Sequence, residues 1–233
     1  MKAVFKREFK AYFSTPVGFI VLAAYYFFLG LYFALIYSSG VPNVTGVITA
    51  MSSVVVFTMP VLTMRLMSED RRLKVDQALL TAPVSLTSIV MGKFLAALSV
   101  FALGFAPTVI FEIIVACYVS VNLLSFLYAL LGVLLLGSAL IAIGMFISSL
   151  TESPVVSAIM TLVVNIIVLY MSSFASMVKT EFLSKIFEKA AFITAFESFG
   201  ENVFSVKDVI YFASIAAAFL FLSVRSLDKR RWA

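Results

Sequence analysis

Long apolar runs separated by short polar stretches predict a chain of membrane-crossing helices. The first run is Val17–Tyr37, closed by a polar turn from Ser38 to Asn43. The second goes from Val44 to about Met64 and meets a charged stretch, Arg65 to Lys74. The third spans about Ile89 to Tyr118 and the fourth Leu123–Leu150. After Thr151-Glu152-Ser153-Pro154 the fifth covers Val155–Phe174. A mixed region, Ala175–Asp208, precedes the sixth, Val209–Val224. A crossing needs about 20 apolar residues. The expected fold class is therefore all-α, a single-domain polytopic membrane protein over residues 1–233 with six transmembrane helices. The runs lack the strict alternation of a transmembrane β-barrel.

Three segments between or before the runs carry a second pattern. In residues 1–15, Phe5, Phe9, Tyr12 and Phe13 recur at helical spacing, with Lys2, Lys6, Arg7 and Lys10 on the other side. This predicts a basic amphipathic helix in the membrane interface rather than a cleavable signal peptide, ended by Pro16. In residues 66–82, Ser68 stands where a cap would, with Glu69 and Asp70 in the first turn. Leu73, Gln77 and Leu80 lie three or four apart, so one side can meet a partner, and Pro83 stops the helix. The pattern alone leaves a solvated interfacial helix and a docking helix equally open. Residues 175–208 place Phe182, Ile186, Phe187, Phe192, Ile193, Phe196 and Phe199 among charges. They predict two short helices with a break near Phe199-Gly200, either interfacial or dipping into the bilayer.

Composition narrows the class. The chain is 63% hydrophobic and 12% charged, which excludes an ordinary soluble enzyme. There is no histidine, so histidine-ligated metals and Ser-His-Asp triads are excluded, and the single cysteine, Cys117, cannot form an internal disulfide. No GxxxxGK[ST] loop occurs, so the chain does not hydrolyse ATP by that route. With both termini placed in the cytoplasm, 13 of the 17 basic residues fall inside, every arginine among them. Outside fall Lys179, Lys185, Lys189 and Lys207, matched by Glu181, Glu188, Glu197, Glu201 and Asp208. The positive-inside rule thus favours cytoplasmic termini. The net charge of +5 suits anionic lipid and not nucleic acid, because the basic residues form no single face.

Polar residues inside the runs are few. Glu112 is the lone acid in a predicted span, one turn after Pro107 and toward its outer end. It is a candidate pathway or gate residue, or an acid reaching the interface. Asn165 is a candidate for a cross-helix hydrogen bond or for the same pathway. Ser138/Ala142 and Gly144/Ser148 are spaced four apart and allow close helix approach, within one chain or between two. An intramembrane protease is disfavoured by the lack of a paired Asp, and a secondary carrier by the scarcity of intramembrane charge.

The stretch Met67-Ser68-Glu69-Asp70-Arg71-Arg72, continuing to Leu79-Leu80-Thr81-Ala82-Pro83-Val84-Ser85, resembles the loop of type-2 ABC transporter permeases (the ABC-2 family). The nearest likeness is to membrane subunits of the gliding-motility and copper-enzyme-maturation type. The resemblance covers nearly the whole chain. Lys74-Val75 stands where that family prefers Gly-Thr, and Gln77 where it prefers Glu. The resemblance implies a coupling helix over 66–82, with Glu69, Asp70, Arg71, Arg72, Asp76, Gln77 and Leu80 meeting a separate P-loop ATPase present in two copies. It implies a second permease chain, identical or not, a non-catalytic role, and ATP and magnesium held by the ATPase alone. It further implies a bacterial or archaeal cytoplasmic membrane and export of a hydrophobic, lipidic or peptidic substrate. The gliding-type likeness implies an alternative: motion passed to a companion subunit with an extracytoplasmic domain, without solute transport.

Overall fold

The computed structural model describes residues 1–38, 40, 43–74, 84–171, 192–200 and 205–231. Within them every regular element is a helix: α1 (Lys2–Ser14), α2 (Pro16–Ser38), α3 (Val44–Ala50), α4 (Ser52–Thr63), α5 (Ser68–Arg72), α6 (Leu86–Gly104), α7 (Ala106–Ala116), α8 (Leu123–Leu150), α9 (Pro154–Leu169), α10 (Phe192–Gly200) and α11 (Val206–Arg231). Local sequence starts several of them. The side chains of Asn43, Ser85, Asn122 and Ser153 each accept a first-turn backbone N–H, of α3, α6, α8 and α9 respectively. Pro154 sits in the first turn of α9, where its missing N–H costs nothing.

α8 is the central helix, packed against α3, α4, α6, α9, α10 and α11. Without a hydrophobic drive between helices in lipid, close packing holds such a bundle together. The small residues of α8 supply it within this one chain: Gly132 abuts Phe199, Gly137 abuts Phe101 and Gly144 abuts Thr63. The lipid-suited faces lie elsewhere. Phe19, Ile20, Phe27 and Leu35 of α2 and Val155, Ile159 and Val163 of α9 are exposed.

Among the described residues four elements are long and apolar enough to cross a membrane, namely Pro16–Ser38, Leu86–Ala116, Leu123–Leu150 and Val206–Lys229. A fifth arises if Val44–Ala50 and the helix from Ser52 count together, bent by 50°. Thr49 donates to the Thr45 carbonyl at 3.0 Å just before this bend, a back-bond that bends helices. α9 has 16 residues, about 24 Å at 1.5 Å per residue, less than a hydrocarbon core of about 30 Å.

The third run breaks at Phe105 into α6 and α7. Pro107 has no N–H for the Leu103 carbonyl four residues back, and the Tyr26 hydroxyl donates to that carbonyl instead, at 3.2 Å. α11 starts at Val206 and continues to Arg231, past the predicted end at Val224, because the charges there end the apolar run without ending the helix. α10 turns Phe192, Phe196 and Phe199 inward and ends at Gly200, near the expected break. The rest of the predicted 175–208 segment lies largely outside the described residues.

Candidate functional site

The described part of the 66–82 segment is an elbow joining α4 to α5, residues 62–74, and side chains from three other helices close it. Tyr12 of α1 is buried and donates to the Leu62 carbonyl at 2.7 Å. Ser148 of α8 accepts the backbone N–H groups of Met67 at 3.1 Å and Ser68 at 3.0 Å, and donates to the Met64 carbonyl at 3.1 Å. Lys93 of α6 is 1% exposed and donates to the Leu66 carbonyl at 2.7 Å. Backbone groups that helix ends leave orphaned are satisfied here from outside the segment.

Lys93 also carries the electrostatics. Its ammonium lies 2.7 Å from Asp70 of α5 and 3.0 Å from Glu8 of α1. Arg7 pairs with Glu8 and reaches Asp70 at 3.5 Å. Burial alone would raise the Glu8 carboxyl, but Lys93 and Arg7 outweigh it and hold Glu8 below the ordinary carboxylate value. Arg65 pairs with Glu69 one turn on, and that hydrogen bond pushes the guanidinium up. α1 approaches α6 at Gly92, where an added Cβ would meet Val4 at 3.0 Å and the Phe5 nitrogen at 3.2 Å. A side chain at 92 would lift Glu8 off Lys93.

Of the residues expected to couple to an ATPase, Glu69 and Asp70 are thus held internally. Arg71 is 2.9 Å from Glu152 and donates to the Leu150 carbonyl at 3.2 Å. Arg72 is exposed, followed by Leu73 at 59% exposed and Lys74. Asp76, Gln77 and Leu80 lie outside the described residues. Ser68 does not cap α5 as its position suggested. It is the first helical residue, and its hydroxyl turns back to the Met64 carbonyl, so the cap comes from Ser148. Lys74, standing where the resembling loop prefers Gly, has φ of +55°, the left-handed conformation glycine adopts most readily after a helix.

The interfacial-helix residues form a ladder. Phe5, Phe9 and Phe13 stack in sequence at 5.8 and 5.2 Å, and Phe13 meets Phe19 at 5.6 Å, while Tyr12 faces the elbow. Glu8 and Lys93 were the pair that pattern reading passed over as a site. The available signal was a lone acid in a basic helix and a lone lysine inside a long apolar run.

The two remaining candidates lie apart from the elbow. Glu112 is 8% exposed on α7 at the opposite end of the bundle. Asn165 is fully buried on α9, and both its side-chain polar atoms lack a hydrogen-bond partner among the described residues, as do the hydroxyls of Thr161 and Ser157 one and two turns before it. The cross-helix bond expected of Asn165 is not formed there. No group of three or more His, Cys, Asp or Glu among the described residues is arranged to hold a metal ion.

Comparison with curated proteins finds no match. A family model described as ABC-2 type transporter matches residues 1–204, taking in the elbow, α8 and α10. Subunits of that family are generally non-catalytic and typically work with an ABC ATPase subunit. An internally braced elbow on a bundle of apolar helices, within a match over this length, makes the chain a member of the ABC-2 type transporter family, a multi-pass transmembrane permease subunit of an ABC transporter.

Proposed function

We propose that the chain receives force from its ATPase at the elbow and distributes it to α1, α6 and α8 together. The observation that carries this reading is the contrast within residues 65–74. Glu69 and Asp70 are tied inward, to Arg65 and to Lys93, while Arg72, Leu73 and Lys74 project outward. A rigid strut with a free tip can pass a displacement to the bundle, whereas a loose loop would absorb it. The ATPase docks on that tip and on residues through 82, two ATPase copies serve two permease chains, and ATP and magnesium reside on the ATPase.

The charged end faces the cytoplasm by the positive-inside rule, in a topology of six crossings with both termini inside. Spans two and five line the path, and closure of the ATPases rocks the chains between inward and outward states. The substrate class is hydrophobic, lipidic or peptidic, moved outward.

Affinity purification in mild detergent tests the reading. A P-loop ATPase is expected to copurify with the wild-type chain and to be lost from Arg72→Glu, which touches no internal pair. Recovery of no ATPase, or unchanged assembly and ATPase stimulation with Arg72→Glu, would remove the docking assignment. Flux into proteoliposomes containing both subunits then measures solute movement directly.

A further inference from the structure

At the end of the bundle away from the elbow, α3, α7, α8 and the turn before α8 border an open cavity of about 230 Å³ that Glu112 lines. Glu112 is more than nine-tenths buried, and it makes no ion pair or hydrogen bond with any described residue. Among the described residues no lysine or arginine lines the cavity. The Glu112 carboxylate faces this open pocket, and a carboxylate with no counter-charge beside it attracts a cation there. The Ser125 hydroxyl, on the same wall, is likewise buried without a partner.

The rest of the lining decides which cation. The amide oxygens of Asn43 and Asn122 already accept from the Gly46 and Leu124 N–H groups, at 3.2 and 3.1 Å. Those two side chains therefore offer NH₂ donors to the cavity and few acceptors. A hard cation is held mainly by carboxylate and carbonyl oxygens, and the described lining offers one carboxylate beside the hydroxyls of Thr45, Ser120 and Ser125. Val44, Val115, Val119 and Val121 add apolar side chains among these polar groups. One carboxylate without a counter-charge, neutral hydroxyl acceptors and a few valine side chains beside them suit an ammonium carrying carbon substituents.

We propose that this cavity binds the ammonium group of an organic amine, with Glu112 as its counter-charge and Ser125 as a second acceptor. The amine is either a free small molecule or the headgroup of an aminophospholipid. Occupancy requires no ATPase, so the site stands or falls apart from the docking assignment above.

The full-length chain is purified, and its thermal unfolding is followed in ethanolamine or choline chloride against sodium chloride of equal ionic strength. A second arm compares nanodiscs of phosphatidylethanolamine with nanodiscs of phosphatidylglycerol. Glu112→Gln keeps the side-chain shape and removes the charge, and it is expected to fold, since it relieves an unpaired acid. Glu197→Gln, on the adjoining cavity, is the control. Amine-dependent stabilisation is expected in the wild type and in Glu197→Gln, with apparent affinity at least about tenfold weaker in Glu112→Gln. Discrimination in the soluble-amine arm identifies a free amine, and discrimination in the nanodisc arm alone identifies a lipid headgroup. Equal response of wild type and Glu112→Gln in both arms overturns the proposal.

Discussion

Lys93 shows how one residue changes the meaning of its neighbours. A buried ammonium is tolerated only with close acceptors, and it has three: two carboxylates and the Leu66 carbonyl. Lys93→Met removes all three contacts and is expected to lower stability in detergent by about 1.5–3 kcal/mol, the range for hydrogen bonds to charged groups. A double-mutant cycle with Asp70→Asn should then show a coupling energy well above measurement error, and strict additivity would argue against a direct pair. Glu8 gives the matching pH prediction. Its carboxyl is held below the ordinary value of 4.5, so the unfolded chain binds the proton more readily than the folded one. Its contribution is fully present above 4.5 and is lost as pH falls through the lower folded value. Thermal unfolding followed into that acid range should show a stability loss in the wild type that is smaller in Glu8→Gln.

α9 presents the element-scale problem. Its buried face is Ser157, Thr161, Asn165 and Leu169, one residue per turn, and the three polar members find no partner among the described residues. Replacing an unpaired buried polar group by an apolar one of similar shape is neutral or stabilising. Thr161→Val and Asn165→Leu are therefore expected to keep or raise the unfolding midpoint while lowering transport. A stability loss above about 1 kcal/mol would mean the groups are satisfied in the folded chain. Elements of this kind were only partly legible in the sequence. Continuous apolar runs announced α2, α6 to α7 and α8, because hydropathy acts locally, whereas the third run reads as unbroken although Pro107 interrupts it after Phe105. The bend near Met51 was not legible, since Thr45 and Thr49 look like ordinary span residues until their back-bond is seen. The Ser68 cap misled for the same reason in reverse: Ser-Glu-Asp is a good local cap signal, but Ser148, eighty residues away, takes the role. The Glu8–Lys93 contact, spanning 85 positions, is set by helix packing at Gly92 and has no local signature.

For the whole molecule, charge separation along the bundle makes a labelling prediction. Cys117 is the sole cysteine, is exposed, and follows α7 at the end away from the elbow. A membrane-impermeant maleimide should modify it in intact cells. A Cys117→Ser, Leu73→Cys chain should react only after permeabilisation, and the reverse pattern would invert the proposed orientation.

The bracing of residues 62–70 also sets an order of biogenesis. Tyr12, Glu8 and Arg7 leave the ribosome first, Lys93 after the elbow itself, and Ser148 more than fifty residues later. A nascent chain halted before Lys93 holds Glu8 and Asp70 without their shared cation, and one halted before Ser148 leaves the Met67 and Ser68 amides uncapped. If the motor subunit docks at the elbow as proposed, its docking surface matures only once the fourth apolar run has been inserted.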